Sequence, residues 1–337
     1  MTSYYISDCR FQIVDFLIFS RTTYDERRVL VMLLKDLMLK RRGKGPILKP
    51  TANWWECRAV FNCGAVYDGK YVHILYRAIG QDGISRLGYA KSKDGLTIAS
   101  RPDRPVFESD PHNEFERLGC EDPRIAKIGS TFYITYTAAS VYSAAAKEKV
   151  SGFSGCPWRV RVSLASTRDF RKFKRHGVIL PDTDSKDAVL LPEKIKGRYV
   201  MYHRVYPHVW VSYSRDLLHW HGHKVVMKTR KGFWDDERIG AGATPIKTEK
   251  GWLHVYHGVD SKRHFYRLGI AIFDLNDPSK LIYRSEKPIL EPQRKYELEG
   301  LVPNVVFSCG AVKKCNTLYV YYGGADKVIG VATMKMP

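Results

Sequence analysis

The sequence lacks several features that would place it in a common class at once. In its 337 residues, no uncharged apolar run reaches the roughly 18 residues that a membrane-spanning helix needs. Its 7 cysteines are scattered without CxxC pairs or metal-type histidine spacing, which argues against a disulfide framework and a structural zinc site. Asp15 splits the apolar stretch from Phe11 to Phe19 and no clear cleavage site follows, so we expect no signal peptide and a cytoplasmic protein.

The charge is far from balanced, with a formal net charge of +20. Such an excess is typical of nucleic-acid binders, which remain a rival class. However, no block of five like charges occurs, and the signatures of RNA-recognition, zinc-finger and helix-turn-helix modules are missing. A solvated basic surface or a pocket for a small anion fits the distribution as well. We therefore expect neither a nucleic-acid nor a membrane partner.

Five segments of the chain share one pattern, which is a short apolar strand, a turn and an alternating strand rich in aromatic residues. The aromatic strands lie at 70–76, 131–136, 198–203, 252–257 and 317–322. A third strand follows in each segment, as in Gly88-Tyr89-Ala90. The period of about 50 to 65 residues suits a four-stranded propeller blade and is too long for a helical solenoid repeat. The sequence therefore predicts an all-β fold, a five-bladed β-propeller over residues 45–337.

The first 44 residues do not share this repeat. Over 24–42, apolar residues fall near helical spacing and basic residues collect at the far end, which predicts an amphipathic helix. We interpret residues 1–44 as an N-terminal helical extension outside the ring. An apolar helix face of this kind packs on the domain or on a partner subunit, so the extension indicates a homo-oligomer.

Polar residues begin several of the first strands, where a core strand should be apolar. Because a propeller gathers its innermost strands around one axis, such residues converge on a central pocket. Glu121-Asp122-Pro123-Arg124 is the most distinctive group. Adjacent carboxylates on a strand point to opposite faces, so one of the two would face the axis. The same residues could instead form a turn at a strand start in which Arg124 neutralises the acid.

Five motifs in register resemble the β-mannoside phosphorylases of glycoside hydrolase family 130. They are Asn62-Cys63-Gly64-Ala65, Glu121-Asp122-Pro123-Arg124, Lys186-Asp187 followed by Leu191-Pro192-Glu193-Lys194, His203-Arg204, and Gly251-Trp252 leading to Tyr256-His257-Gly258. The resemblance covers residues 45–337. It implies inverting phosphorolysis, in which a β-1,2- or β-1,4-linked mannoside and phosphate give α-D-mannose 1-phosphate and a shortened acceptor.

The resemblance also implies roles for individual residues. The catalytic acid of the family corresponds to Asp122, whose proton passes through the mannose 3-hydroxyl. Phosphate replaces the activated water of an ordinary inverting enzyme, so no second carboxylate base is required, but cations must hold the phosphate. The candidate phosphate ligands are Arg77, Arg161, Lys186, Arg204 and His257. The candidate sugar ligands are Asn62, Arg124, Asp187, Tyr256 and Asp326. We expect no metal and no organic cofactor, with inorganic phosphate as the co-substrate.

Two alternatives share the expected fold. An inverting β-mannosidase would use glutamates to activate water, and Glu237 and Glu299 are the candidates near repeat boundaries. A non-catalytic carbohydrate-binding propeller would keep the aromatic residues without needing an acid beside a basic cluster. Loops 141–157 and 228–238 are expected to set the linkage, with Phe153, Trp158, Phe233 and Trp234 either stacking on sugars or packing in the core.

Overall fold

The computed structural model describes residues 37–142 and 158–336, which are folded almost entirely as β-strands. The first ten strands are β1 (Lys40–Arg41), β2 (Ala59–Tyr67), β3 (Val72–Ile79), β4 (Ser85–Ser92), β5 (Ile98–Ser100), β6 (Gly119–Ile128), β7 (Thr131–Ser140), β8 (Arg159–Thr167), β9 (Phe173–Val178) and β10 (Lys186–Leu190). The later strands are β11 (Tyr199–Val205), β12 (His208–Ser214), β13 (His221–Met227), β14 (Arg238–Ala241), β15 (Ile246–Thr248), β16 (Gly251–Val259), β17 (Tyr266–Phe273), β18 (Leu281–Arg284), β19 (Val306–Lys314), β20 (Thr317–Gly324) and β21 (Val328–Lys335). A turn of 3-10 helix (Glu114–Glu116) precedes β6, and a short helix, α1 (Lys295–Leu298), precedes β19.

These strands form five antiparallel units in the order that the repeat predicts. The first unit is β2-β3-β4-β5, the second β6-β7-β8-β9, the third β10-β11-β12-β13, the fourth β14 and β15 with β16-β17-β18, and the fifth β19-β20-β21-β1. A single parallel bridge between Ser85 and Gly119 joins the first two units into one hydrogen-bonded sheet. The predicted all-β class is confirmed.

The core lies between neighbouring units. One apolar cluster joins the first and fifth units, and others join the first to the second, the second to the third and the third to the fourth. A small cluster around Phe307 joins the fifth unit to Tyr266 of the fourth. The first strands also contact one another in sequence, β2 with β6, β6 with β10 and β10 with β14, while β19 contacts both β16 and β2. Each sheet therefore buries both faces, which explains its nearly continuous apolar strands.

The register gives every unit two equivalent positions on its second strand. At one of them, a residue of the second strand pairs with a residue of the first strand. The pairs, with the first-strand residue given first, are Phe61 with Arg77, Glu121 with Thr137, Lys186 with Arg204, Gly240 with His257 and Phe307 with Gly323. We call the second-strand members the paired position. The residue before each is the clamp position, occupied by Tyr76, Tyr136, His203, Tyr256 and Tyr322. Because side chains alternate along a strand, the two positions face opposite sides of the sheet.

The predicted helix over 24–42 is wrong where the structure describes it. Residues 24–36 lie outside the described residues, but Leu37, Met38 and Leu39 have no regular structure and β1 follows directly. Lys40 and Arg41 pair antiparallel with β21 as the fourth strand of the fifth unit. Local apolar spacing cannot reveal a partner strand at the other end of the chain. The remainder of the proposed extension stays a prediction, as does the division at residue 44.

No helix in the described ranges combines the length and the apolar character that a membrane crossing requires.

Candidate active site

Bulged first strands bring an amide and two carboxylates into the interior. The pairing of β2, β6 and β10 with their neighbours shifts by one residue at Asn62, Asp122 and Asp187, respectively. These residues have φ angles of 46°, 49° and 56°, a left-handed conformation that Asn and Asp tolerate better than most residues. Asn62 Nδ2 donates to Asp122 Oδ1 at 3.0 Å, and both side chains are buried. The three residues chosen from the family resemblance, Asn62, Asp122 and Asp187, thus occupy the same bulged position in three different units.

Arg77 binds the two neighbouring carboxylates of β6. Its Nη2 donates to Glu121 Oε1 at 2.6 Å and its Nη1 to Asp122 Oδ1 at 3.4 Å. Ser85 Oγ accepts from Arg77 Nε at 2.9 Å and fixes the plane of the guanidinium group. Sequence reasoning gave Glu121 no role of its own. Its place directly before Asp122, in register with the second strand, was the signal that could have identified it.

Nearby cations determine the protonation of Asp122. Burial opposes its ionisation, but the positive charges of Arg77, Lys186 and Arg124 outweigh burial and lower its pKa. The pKa of Glu121 is raised, because burial outweighs the attraction of Arg77 and the charge of Asp122 adds to the effect. Of the two carboxyl groups, Asp122 is therefore the one that ionises more readily.

Asp326 joins this group from the turn between β20 and β21. Its φ angle is 49°, so the turn holds it in the left-handed region. Burial raises its pKa to about 7, with Arg77 and Lys186 opposing the rise and Asp122 adding to it. A carboxyl group with this pKa exchanges its proton near neutral pH, which is the range in which catalytic acids and bases operate.

A second cluster surrounds Asp187, which is completely buried. Its Oδ1 accepts from Arg124 Nη2 at 3.1 Å, while its Oδ2 lies 3.1 Å from Arg204 Nη1 and 3.5 Å from His257 Nε2. Gly240 is required for this close approach, since a Cβ there would lie 2.4 Å from Asp187 Oδ2 and 2.3 Å from the His257 ring. Asp187 thus acts as the counter-ion of Arg124 and of Arg204, a predicted phosphate ligand.

Arg124 links the two clusters. Its Nη1 donates to the Asp122 carbonyl oxygen at 2.8 Å, and its other donors reach Asp187 and the carbonyl oxygens of Ala241 and Gly242 at 3.1 Å. The side chain is 1% exposed. The guanidinium group of Arg124 therefore donates its hydrogen bonds to protein acceptors and holds the bulge of β6 against β14. This geometry favours a bracing role over the predicted sugar contact.

His257 occupies the paired position of the fourth unit. Burial lowers its pKa to about 3, although Asp187 opposes this shift. Its ring centroid lies 4.4 Å from that of Phe307, which packs against it. The imidazole is therefore neutral at physiological pH and offers a hydrogen bond to a ligand, without the positive charge expected from sequence.

Arg161 lies in a different environment from the other predicted phosphate ligands. It is buried and binds the Asp184 carboxylate and, at 2.6 Å, the Pro181 carbonyl oxygen. Tyr142 donates to the same carboxylate. Burial raises the pKa of Asp184 to about 6 and, with Arg159, lowers the pKa of Arg161 to about 10. The described contacts of Arg161 thus lead to Asp184 and not to Asp122 or Asp187.

Tyr256 is placed in the core and not in the site. Its hydroxyl donates to Asp235 at 2.9 Å and accepts from Arg284 Nε at 3.0 Å, and the residue is completely buried. It occupies the clamp position, on the sheet face opposite His257. These buried contacts with Asp235 and Arg284 correct the prediction of Tyr256 as a sugar ligand.

The glutamates of the hydrolase alternative have basic partners of their own. Glu237 binds Arg238 and lies 2.5 Å from His264 Nδ1. Glu299 is exposed, and its nearest basic partner is Lys295 at 3.7 Å. Of the predicted stacking residues, Phe233 is exposed, Trp234 stacks on Tyr256, and Phe153 lies outside the described residues.

Comparison with known proteins identifies the family. A sequence profile for glycoside hydrolase family 130, described as beta-1,4-mannooligosaccharide phosphorylase, matches residues 47–337. A curated 1,2-beta-oligomannan phosphorylase from Thermoanaerobacter sp. strain X514 is 46% identical over 89% of this chain and 98% of its own length. The chain belongs to glycoside hydrolase family 130. The predicted family is confirmed.

Further relatives within family 130 differ in the substrate for which they are named. A beta-1,2-mannobiose phosphorylase from the same Thermoanaerobacter strain is 42% identical over 88% of this chain and 97% of its own. A beta-1,4-mannooligosaccharide phosphorylase from Ruminococcus albus is 32% identical over 84% of this chain and 83% of its own. The solved structure of a Listeria innocua beta-1,2-mannobiose phosphorylase superposes with a TM-score of 0.76 and 28% identity, covering 88% of this chain and 97% of that one.

Proposed function

We propose that this member of family 130 catalyses the inverting phosphorolysis of β-1,2-linked manno-oligosaccharides to α-D-mannose 1-phosphate and a shortened acceptor. Phosphorolysis of β-mannosides is the reaction for which its curated relatives are named. The linkage follows the two relatives with 46% and 42% identity, whose names specify β-1,2 bonds, over the β-1,4 relative with 32%.

The observation that carries the proposal is the Asp122 bulge. A buried carboxylate in a left-handed conformation, oriented by Asn62 and placed among cations, suits the single acid of an inverting phosphorylase. Asp122 donates its proton through the mannose 3-hydroxyl to the departing glycosidic oxygen. Asn62 Oδ1 is buried and accepts no hydrogen bond from the described residues, so it is suited to accept one from a sugar hydroxyl.

Phosphate is held opposite the departing sugar by the residues of the paired position. Arg77, Arg204 and His257 occupy it in the first, third and fourth units, and Lys186 pairs across the strands with Arg204. Phosphate is already a nucleophile, so this site needs no carboxylate base to activate water. Glu237 is paired with Arg238 and His264, and Glu299 with Lys295, and these partners favour a structural role for both glutamates over the activation of water.

Phosphate binding also prepares the acid. Without a ligand, the cations around Asp122 lower its pKa and keep it ionised. A phosphate anion among the same cations offsets their charge, and this favours protonation of Asp122 and of Asp326, whose pKa is already about 7. Proton uptake on phosphate binding would therefore convert the resting carboxylate into the acid that the reaction requires.

The remaining assignments are part of the same proposal. We place the five units as the blades of a closed five-bladed propeller, with Asn62, Asp187 and Asp326 near the bound mannose. Phosphorolysis needs no metal and no organic cofactor, because phosphate itself attacks the sugar. The cytoplasmic location and a homo-oligomer formed through residues 1–44 stay predictions of the sequence.

Replacement of the acid tests the proposal. Asp122→Asn should fold yet lose phosphorolysis on the order of a thousandfold, because an amide supplies no proton at this site. Glu299→Gln, an exposed substitution, is the matched control and should retain activity. An Asp122→Asn variant with near-normal turnover would remove Asp122 from this role.

A further inference from the structure

The third unit departs from the other four at the clamp position. There, Tyr76, Tyr136, Tyr256 and Tyr322 each donate a hydrogen bond to a buried carboxylate of their own unit. An arginine binds each of those carboxylates as well. In the third unit, the register places His203 at the clamp position. Tyr202, its neighbour, donates to the Pro278 carbonyl oxygen instead of a carboxylate.

His203 belongs to a ladder of hydrogen bonds across the third unit. Its Nδ1 lies 2.9 Å from Ser185 Oγ, and its Nε2 lies 2.8 Å from Ser212 Oγ. Ser212 Oγ lies in turn 2.7 Å from Nδ1 of His223 on β13. His223 lines a surface groove of about 400 Å³ between the second and third units, whereas His203 is 1% exposed. The ladder thus runs from the link before β10 to the outermost strand.

The ladder satisfies His203 without adding charge. Burial lowers the pKa of His203 to about 3, so the ring is neutral. A neutral imidazole has one donor and one acceptor nitrogen, and a serine hydroxyl can serve either. Both ring nitrogens are therefore paired in either tautomer. A tyrosine–carboxylate–arginine clamp would instead place two further charges beside the cations of this unit.

The two ends of the Ser185–His203 hydrogen bond precede two predicted phosphate ligands. Ser185 precedes Lys186, and His203 precedes Arg204. Lys186 and Arg204 pair across β10 and β11, so their side chains share one face of the sheet. Ser185 and His203 project from the other face. The hydrogen bond therefore joins the two strands directly behind the Lys186–Arg204 pair, next to the bulge at Asp187.

We propose that His203 is a positioning residue for phosphate binding, which holds Lys186 and Arg204 in register through its hydrogen bond with Ser185. The inference rests on the proposed phosphate site. The bulge at Asp187 interrupts the regular backbone hydrogen bonds between β10 and β11. The hydrogen bond between Ser185 and His203 therefore restrains the register of the two strands where backbone pairing does not. Its loss should loosen the phosphate site more than the sugar site, whose acid lies on β6.

Two amide variants separate the two bonds of His203. An Asn amide reaches the place of Nδ1 and can bind Ser185, whereas a Gln amide reaches the place of Nε2 and can bind Ser212. We expect His203→Asn to keep the KM for phosphate within about threefold of the parent enzyme. His203→Gln and His203→Phe should raise that KM about five- to tenfold, the equivalent of one hydrogen bond, with the KM for mannobiose and kcat little changed.

Two further variants complete the experiment. Tyr136→Phe removes the clamp hydrogen bond of the second unit, whose paired position is Thr137, and should lower the unfolding temperature without changing the KM for phosphate. Arg204→Ala should raise the KM for phosphate. If Arg204→Ala leaves that KM unchanged, the proposed phosphate site is wrong. Two results would overturn the positioning role when Arg204→Ala does raise the KM for phosphate. In the first, His203→Gln and His203→Asn have the same KM for phosphate. In the second, His203→Gln raises the KM for phosphate and the KM for mannobiose equally.

Discussion

Two groups of carboxylates in this molecule are held in different ways. The clamp carboxylates are Glu56, Glu116, Asp235 and Glu297, and each has a tyrosine hydroxyl and at least one arginine of its own. The carboxylates of the site are Glu121, Asp122 and Asp326, which share the charges of Arg77 and Lys186.

The two groups differ in their pKa values, as two carboxyl groups of the fifth unit show. In the fifth unit, Arg41 and three further hydrogen-bond donors outweigh burial and lower the pKa of Glu297. In the same unit, Asp326 has a pKa of about 7, because burial is offset only in part by the shared cations. Glu297, which has its own partners, therefore keeps its charge and helps to fix the fold. Asp326, which shares its cations with two other carboxyl groups, exchanges a proton near neutral pH, as a group that takes part in proton transfer must.

Breaking a clamp should have the largest effect on stability. Asp235→Asn leaves Arg230 and Arg284 without their carboxylate beside the Tyr256 hydroxyl. Loss of one partner of a buried ion pair costs about 3–5 kcal/mol of unfolding free energy. Urea unfolding at neutral pH measures this loss, and the folded variant should still catalyse phosphorolysis. A loss under about 1 kcal/mol would contradict the structural role of the clamp.

The clamp of the fifth unit should respond less, because its arginine comes from the short strand β1. Arg41 donates to Glu297 with Nε and Nη2, both at 2.7 Å. Arg41→Ala should reduce the unfolding free energy by about 2–3 kcal/mol, since the side chain is partly accessible to solvent. Lys40→Ala, on the same strand but exposed, is the control. Equal stability of the two variants would show that β1 adds nothing to the repeat domain and would favour a boundary after residue 44.

Replacing the site carboxylate Asp326 should raise the stability instead of lowering it, and only as the pH rises above about 4. The pKa of Asp326 is raised to about 7, so the folded protein holds a proton that the unfolded chain releases above about pH 4. Stability from this group therefore falls as pH rises from about 4 to 7. Asp326→Asn should be more stable than the parent by as much as about 4 kcal/mol at pH 8 and equal to it at pH 4, measured by thermal unfolding. The opposite sign would contradict the raised pKa.

The sequence was sufficient for the features that repeat locally. Aromatic alternation and turns identified the five units, and the resemblance led to Asn62, Asp122 and Asp187, which share one bulged position. Residues fixed by long-range pairing were not accessible in this way. Arg41 joins a strand from the other end of the chain, and Tyr256 faces away from the site because the register of β14 with β16 places His257 there. Arg161 is bound to Asp184, a partner that no spacing along the chain reveals.

The central claim is phosphate-dependent mannosyl transfer with Asp122 as the acid. Its most direct test incubates the parent enzyme and Asp122→Asn with β-1,2-mannobiose, with and without inorganic phosphate, and measures mannose 1-phosphate and free mannose. We predict mannose 1-phosphate from the parent enzyme only when phosphate is present, and almost none from the variant. Free mannose formed by the parent enzyme without phosphate, or equal turnover by the two proteins, would contradict the account.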